Sequence, residues 1–280
     1  LNKEDSKQLG SLGAGFSIQK GVKTTVTIRN KTKHDISNFT IKVNGFESGN
    51  MRVSEVVLSK FSTKGKFVDI IHEIDVPVGY GFGSSAAVAL SLSIALNDAL
   101  ECKLSKIKVA QIAHDVEIEC KTGLGDVLAS YYGGFEIRDK PGAPGIGHVQ
   151  NITLNKISII MICFSPISTS KFIKEKLSQI NGLGGKMVNE LLESKNYEHF
   201  QEMSLEFAKY VNVMTPRMQK VVNQLSKNNI KCGIALFGET IFSMVPKEKE
   251  NNVLEILEKF SDGIIIKSKL DDTGARILYN

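Results

Sequence analysis

Pro77-Val78-Gly79-Tyr80-Gly81-Phe82-Gly83-Ser84-Ser85-Ala86-Ala87 is the stretch of this chain richest in chemistry. Its three alternating glycines let the backbone turn tightly and come close to a bulky ligand. A strongly apolar helical stretch follows from Ala86 to Leu100, so the loop opens onto a helix. A helix N-terminus carries free N–H groups and a partial positive charge, both suited to phosphate. Successive N–H groups in such a turn form an anion-binding nest. Ser84 and Ser85 add two hydroxyls that can bond phosphate oxygen or complete a magnesium shell. Neither of the common nucleotide fingerprints is present. No Gly-Lys-Ser/Thr follows, and Ser84 stands where a third dinucleotide-binding glycine belongs. A plain strand–helix turn capped by serine is the rival reading.

Acidic residues come next. A helix is predicted from Ser105 as N-cap, with Val109, Ile112, Ala113 and Val116 at i, i+3, i+4 and i+7. At about 100° per residue, Glu117 falls just beside that apolar face, with His114 on the same side. The two can therefore reach one site. Glu119 points to the other edge, and Asp115 points away and is expected in solvent. Thr122-Gly123-Leu124-Gly125 breaks the helix, and Asp126 follows it, where the chain can bring a carboxylate close to a ligand. A turn aspartate and a surface helix carboxylate are the competing readings of Asp126 and Glu117.

These residues need elements to hold them. The first third reads mainly as strands and turns, with strands over Val22–Ile28, Phe39–Val43 and Phe67–Asp75. Gly133-Gly134 and the run Pro141 to Gly147 mark a turn-rich loop approaching a domain boundary near residue 150. Beyond it a strand at 157–164 precedes helices near 170–180, 183–194, 197–211 and 216–227. A strand pair, Ile234–Phe237 and Ile241–Val245, then a helix near 250–260 and a strand at 263–267, close the chain. Leaving out the middle helices, the order β-α-β-β-α-β is ferredoxin-like.

Composition narrows the ligand. The 280 residues are 42% hydrophobic and 23% charged, ordinary for a folded soluble protein, and the length suits two domains, 1–150 and 151–280. No apolar run approaches the roughly 20 residues that span a bilayer, and no leader pattern opens the chain. The net charge of +5 is scattered and Trp is absent, so nucleic acid is not the expected partner; a small anion is. Cys102, Cys120, Cys163 and Cys232 lack metal-ligand spacing and are expected as buried free thiols in a reducing cytoplasm.

The loop from Pro77 to Ala86 resembles the second motif of the GHMP kinase superfamily, Pro-x-x-x-Gly-Leu-x-Ser-Ser-Ala, with Phe82 in the leucine position. Three further segments resemble the archaeal pantoate kinases within it. They are Gly10-Ser11-Leu12-Gly13-Ala14-Gly15, Thr122 to Asp126, and Glu136 to Gly147. The resemblance implies an α+β GHMP kinase fold, with an N-terminal ribosomal-S5-like domain and a C-terminal ferredoxin-like α/β domain. It also implies ATP-dependent phosphorylation of pantoate to 4-phosphopantoate, feeding coenzyme A synthesis. ATP and Mg2+ are the implied cofactors; the implied partners are small molecules, with no membrane or nucleic acid, and a homodimer is compatible. The family's third motif would be Leu236 to Thr240, with Gly238 as its single glycine. The family's His-Ile-Thr-Gly-Phe-Phe segment, implied to line the acceptor pocket, is not among the 280 residues.

By the same resemblance, Gly79, Gly81, Gly83, Ser84, Ser85 and Ala86 hold the ATP phosphates. Ser85 and Glu117 hold magnesium, and Asp126 orients or deprotonates the attacking hydroxyl. Pantoate's carboxylate suits a guanidinium fork, and Arg138 is the leading candidate. Ser11, His114 and Thr169 are further implied acceptor contacts, although Thr169 also suits a helix N-cap. GHMP kinases acting on mevalonate, homoserine or shikimate are the alternative, as is a non-catalytic nucleotide or metabolite sensor. Intact Ser85, Glu117 and Asp126 argue against the sensor.

Overall fold

The computed structural model describes residues 6–46, 50–167 and 169–278, with the backbone alone for 169–174 and 177. In chain order the first half holds β1 (Gly13–Phe16), β2 (Val22–Asn30), β3 (Phe39–Gly45), α1 (Arg52–Ser59) and β4 (Lys66–Ile74). It continues with α2 (Ser84–Ala99), α3 (Lys106–Cys120), α4 (Asp126–Tyr132), β5 (Phe135–Lys140) and β6 (His148–Ile152). The second half holds β7 (Ile157–Pro166), α5 (Thr169–Ser194), α6 (Tyr197–Tyr210) and α7 (Pro216–Lys227). It ends with β8 (Gly233–Ala235), β9 (Gly238–Pro246), α8 (Glu250–Leu257) and β10 (Ile264–Lys269).

Two small sheets build the first half. In one, β4 lies between β2, antiparallel to it, and β3, parallel to it. Along β4 the period of two buries Val68, Ile70, His72 and Ile74 on one face. That face packs with α1, α2 and α3 around Val57, Leu90, Leu96 and Val116. Each fully buried Leu or Val contributes about 1.5–3 kcal/mol, so this cluster fixes α2, and with it the glycine loop. The other sheet has the order β1-β5-β6, all antiparallel. It carries Gly13 and Gly15 opposite Arg138 and Glu136.

The second half is a four-stranded antiparallel sheet of order β10-β7-β9-β8. That is the ferredoxin-like arrangement, with α5, α6 and α7 filling the first crossover and α8 the second. The two halves share a core. Phe135 and Ile137 of β5 pack in one cluster with Met161, Phe200 and Phe242, and the Phe200 and Phe242 rings stack at 5.6 Å.

Several expectations change. The helices read near 170–180 and 183–194 are one, α5, because its glycines serve packing instead of ending the helix. A Cβ on Gly182 would lie 3.3 Å from Tyr210 Oη, and one on Gly184 3.8 Å from the Phe207 ring. Glycine within a helix costs only about 1 kcal/mol, which close packing on α6 offsets. The first third also contains a helix, α1, and the strand expected to reach Phe237 stops at Ala235. All four cysteines are free, but Cys102 is exposed and Cys120 half-buried. Among the described residues no helix is long and apolar enough to cross a membrane.

Candidate active site

The glycine loop leaves β4 and enters α2 through Gly83, which caps the helix in the left-handed conformation (φ 60°) with no side-chain cap. Only a residue without Cβ adopts that geometry freely. The serine cap of the rival reading is therefore not formed, and the N-terminal N–H groups of α2 are left for a ligand. Gly81 also has a positive φ, 86°, and a Cβ there would meet the Ala235 carbonyl oxygen at 2.8 Å. The second half clamps the loop from behind. Thr240 Oγ1 donates to the Tyr80 carbonyl at 2.7 Å, and a Cβ on Gly238 would overlap the Tyr80 backbone. Gly79 accepts from Ile167 N–H at 3.0 Å.

In front of the loop lies a cavity of about 1240 Å³, lined from both halves. It exceeds the usual space for one drug-sized ligand, about 300–1,000 Å³. Gly81, Gly83 and Ser84 line it; Gly79, Ser85 and Ala86 do not. Leu236 and Phe237 contribute from the second half, so the third-motif segment does face the cavity.

Two carboxylates meet beside the loop. Glu117, from the last turn of α3, is 2% exposed. Its Oε2 accepts from Ser85 Oγ at 3.1 Å and its Oε1 from Thr122 Oγ1 at 2.6 Å. Burial, with Asp126 nearby, pushes its carboxyl up to about 7 against the two hydroxyl bonds. Asp126 opens α4 and lines the cavity. Burial raises its carboxyl too, while Arg138 draws it down. Gly123 explains the approach: a Cβ there would lie 3.0 Å from Glu117 Oε2 and 3.2 Å from Asp126 Oδ2. A Cβ on Gly83 would lie 3.1 Å from Asp126 Cβ, so the glycine that caps α2 also admits Asp126.

Among the described residues no group of three His, Cys, Asp or Glu side chains could cage a metal. The oxygens present nevertheless suit magnesium, which takes one or two carboxylates together with water and ligand phosphates. Ser85 Oγ and Glu117 Oε2 are hard donors already in contact.

On the far side of Asp126, Arg138 and Glu136 project from the same face of β5. Arg138 is 8% exposed and Glu136 is fully buried. Arg138 Nη1 donates to Glu136 Oε1. Ser11 joins them: a Cβ on Gly125 would lie 2.7 Å from Ser11 Oγ and 2.9 Å from Arg138 Nε. Ser11, Asp126 and Arg138 thus surround one corner of the cavity.

His114 is not brought to that corner. Its Nε2 donates to the Leu9 carbonyl at 3.0 Å, with the Ser6 carbonyl at 3.3 Å. It ties the segment leading to Ser11, and burial lowers its pKa. Glu117, expected to share a site with it, turns to Ser85 instead. Asp115, expected in solvent, is half-buried and accepts from Ser6 Oγ at 2.7 Å. Thr169 is the first residue of α5, and its side chain lies outside the described residues. Two neighbours were not singled out from sequence, Thr122 and Glu136. Both sit inside motifs quoted above, and the i, i+2 spacing to Arg138 on a strand was the available signal for Glu136.

Comparison with known proteins agrees with this geometry. Residues 51–134 match the GHMP kinases N terminal domain. A pantoate kinase of Methanocaldococcus jannaschii is 32% identical over 253 residues, 89% of this chain and 88% of that protein. A pantoate kinase of Thermococcus kodakarensis is 27% identical, over 91% of this chain and 85% of that one. Among solved structures, a phosphotransferase related to the CoA biosynthesis pathway superposes with a TM-score of 0.83 at 25% identity, covering 98% of this chain and 92% of its own. The α+β GHMP kinase fold expected from the motifs is thereby borne out, and this chain belongs to the pantoate kinases of the GHMP kinase superfamily.

Proposed function

We infer that this protein transfers the γ-phosphoryl group of ATP to the primary hydroxyl of pantoate, giving 4-phosphopantoate and ADP in coenzyme A synthesis. One observation carries the reading of the site: Asp126 stands between the uncapped start of α2 and the Arg138–Ser11 corner. Phosphoryl transfer needs an in-line approach of hydroxyl to phosphate, with charge held on both sides.

The residues divide the work as follows. The N–H groups at Ser84, Ser85 and Ala86, with the turns at Gly79, Gly81 and Gly83, bind the ATP phosphates. Arg138 takes the pantoate carboxylate, and Ser11 donates to the same end. The acceptor oxygen attacks the γ-phosphorus as the bond to the β-bridging oxygen breaks. Asp126 receives the hydroxyl proton, from its place between the start of α2 and the Arg138–Ser11 corner. Ser85 and Glu117 would hold Mg2+, which supplies charge neutralisation on the phosphates. His114 acts here by fixing the chain before Ser11 and is not a direct contact. Thr169 completes the acceptor side in this reading. We place the domain division near residue 150 and read the enzyme as cytoplasmic and homodimeric, which sizing by light scattering checks.

A coupled ADP-release assay with an acceptor panel tests the assignment. Pantoate-dependent turnover is expected; turnover on mevalonate or homoserine with none on pantoate overturns it.

A further inference from the structure

Two buried polar atoms beside the acceptor corner have no partner among the described residues, Arg138 Nε and Glu136 Oε2. They belong to one ion pair, in which Arg138 Nη1 donates to Glu136 Oε1. Leaving such a donor unmade costs about 1–3 kcal/mol, so the pair is built for something that arrives.

The surroundings show which way it faces. Glu136 and Arg138 share one face of β5, and their cross-strand neighbours on β1 are Gly15 and Gly13. Opposite residues on paired strands usually fill the space between them with side chains. Here that space is empty of Cβ atoms. A Cβ on Gly13 would lie 2.8 Å from Arg138 Nη2, and one on Gly125 2.9 Å from Nε. The two glycines thus border the Nε–Nη2 edge of the guanidinium, the edge Glu136 does not use. That edge offers two parallel N–H donors to a carboxylate. On the other side of Glu136, a Cβ on Gly15 would come 3.0 Å from Oε1.

We propose that Glu136 is a positioning residue that occupies Nη1 of Arg138 and so presents the Nε–Nη2 edge to the carboxylate of the acceptor. The proposal rests on the reading of Arg138 given above. It also assigns the Gly13-x-Gly15 spacing a purpose: a Cβ at either position would press on Arg138 Nη2 or Glu136 Oε1, so the glycines let the pair lie against β1. Without Glu136, Asp126 is a carboxylate that still feels Arg138. The guanidinium would turn toward it, leaving the acceptor unread and the proton acceptor engaged. Burial pushes the Glu136 carboxyl up to about 7, with Arg138 opposing the rise. An amide oxygen in the same place would still accept from Nη1.

Steady-state kinetics of Glu136→Ala, Glu136→Gln and Arg138→Lys, each against pantoate and ATP, test the proposal. Glu136→Ala is expected to lower kcat/KM for pantoate at least tenfold while the ATP KM stays within twofold. Glu136→Gln is expected to recover most of that loss, to within about fivefold of wild type, because its amide oxygen still accepts from Nη1. An unchanged pantoate kcat/KM in Glu136→Ala overturns the proposal. So does a Gln variant as impaired as the Ala variant. Arg138→Lys separates the two levels: if it too leaves pantoate untouched, the assignment of Arg138 itself fails. Should Glu136→Ala not fold, the Arg138 Nε–H nitrogen resonance of the wild-type enzyme decides, identified by its loss in Arg138→Lys. It is expected to move on titration with pantoate, and an unmoved signal at saturation overturns the proposal.

Discussion

The two ends of the active site are wired differently. At the phosphate end, Glu117 has a hydroxyl on each oxygen, from Ser85 and Thr122, and the loop beside it is clamped by Thr240. At the acceptor end, Arg138 Nε and Glu136 Oε2 are buried without partners among the described residues, and the glycines at 13, 15 and 125 make room for the two side chains. A carboxylate whose bonds are all made is held in place before its ligand comes. A guanidinium with an unused buried edge gains most of its stabilisation when the ligand arrives. On the proposed assignment of the two ends, the phosphate end is therefore held in advance and the acceptor end selects.

The largest test of that contrast is at the point where the ends meet. Asp126→Asn keeps the shape and removes the proton acceptor, so kcat should fall by about 10²–10⁴ while ATP binding, read by fluorescence titration, is retained. Lost ATP binding would mean that Asp126 belongs to the phosphate end alone.

Arg138→Ala comes next. A charged hydrogen bond is worth about 1.5–3 kcal/mol, so the pantoate KM should rise roughly ten- to a hundredfold with the ATP KM little changed. A larger effect on ATP than on pantoate would abolish the distinction between the ends.

Thr122→Val is a smaller probe on the wired side. It removes one neutral hydrogen bond to Glu117, worth about 0.5–1.5 kcal/mol. The magnesium concentration giving half-maximal rate should rise a few-fold, and the pantoate KM should stay put.

The last test concerns stability and not turnover, at His72 in the sheet that carries the phosphate loop. His72, 1% exposed, bridges Ser54 Oγ at 3.0 Å and Thr24 Oγ1 at 2.9 Å, and burial lowers its pKa to about 4. Its unfolded value lies near 6.5, so the unfolded chain binds more protons between those limits. Stability is then complete above pH 6.5 and falls as pH drops toward 4. Chemical denaturation across that window should show the slope, and His72→Asn should flatten it.

Much of this was legible in the residues. The α2 loop, the Ser105 cap and the ferredoxin-like order follow from glycine spacing, capping chemistry and apolar periodicity, which are local. Ser105 does accept from Lys108 N–H, at 3.3 Å. Long-range partners were not legible. Nothing near His114 in sequence shows that its ring will meet the carbonyls of Ser6 and Leu9. The helical wheel placed it correctly on the buried side and could not say what lay opposite. Residues 181–182 read as a break because the neighbour of Gly182 on α6 is unknown until the chain folds. Glu136 was overlooked because its one local signal, the i, i+2 spacing to Arg138, does not say what lies opposite; its glycine partners across the sheet do.

After β10 the chain leaves the ferredoxin-like half and returns to the first. Leu270 bridges to Ile18, Gly134 N–H donates to the Asp271 carbonyl, and Ala275 N–H donates to Ser130 in α4. Gly274 lies so close to Gly133 that a Cβ on either would collide with the other's backbone. The helix that begins with Asp126 is thus fastened by residues made long after it. During translation every other site residue leaves the ribosome before that fastening does. A stalled or clipped chain lacking residues 270–276 would carry both ends of the site but leave α4 without these contacts, so α4 is fastened only once that stretch has emerged.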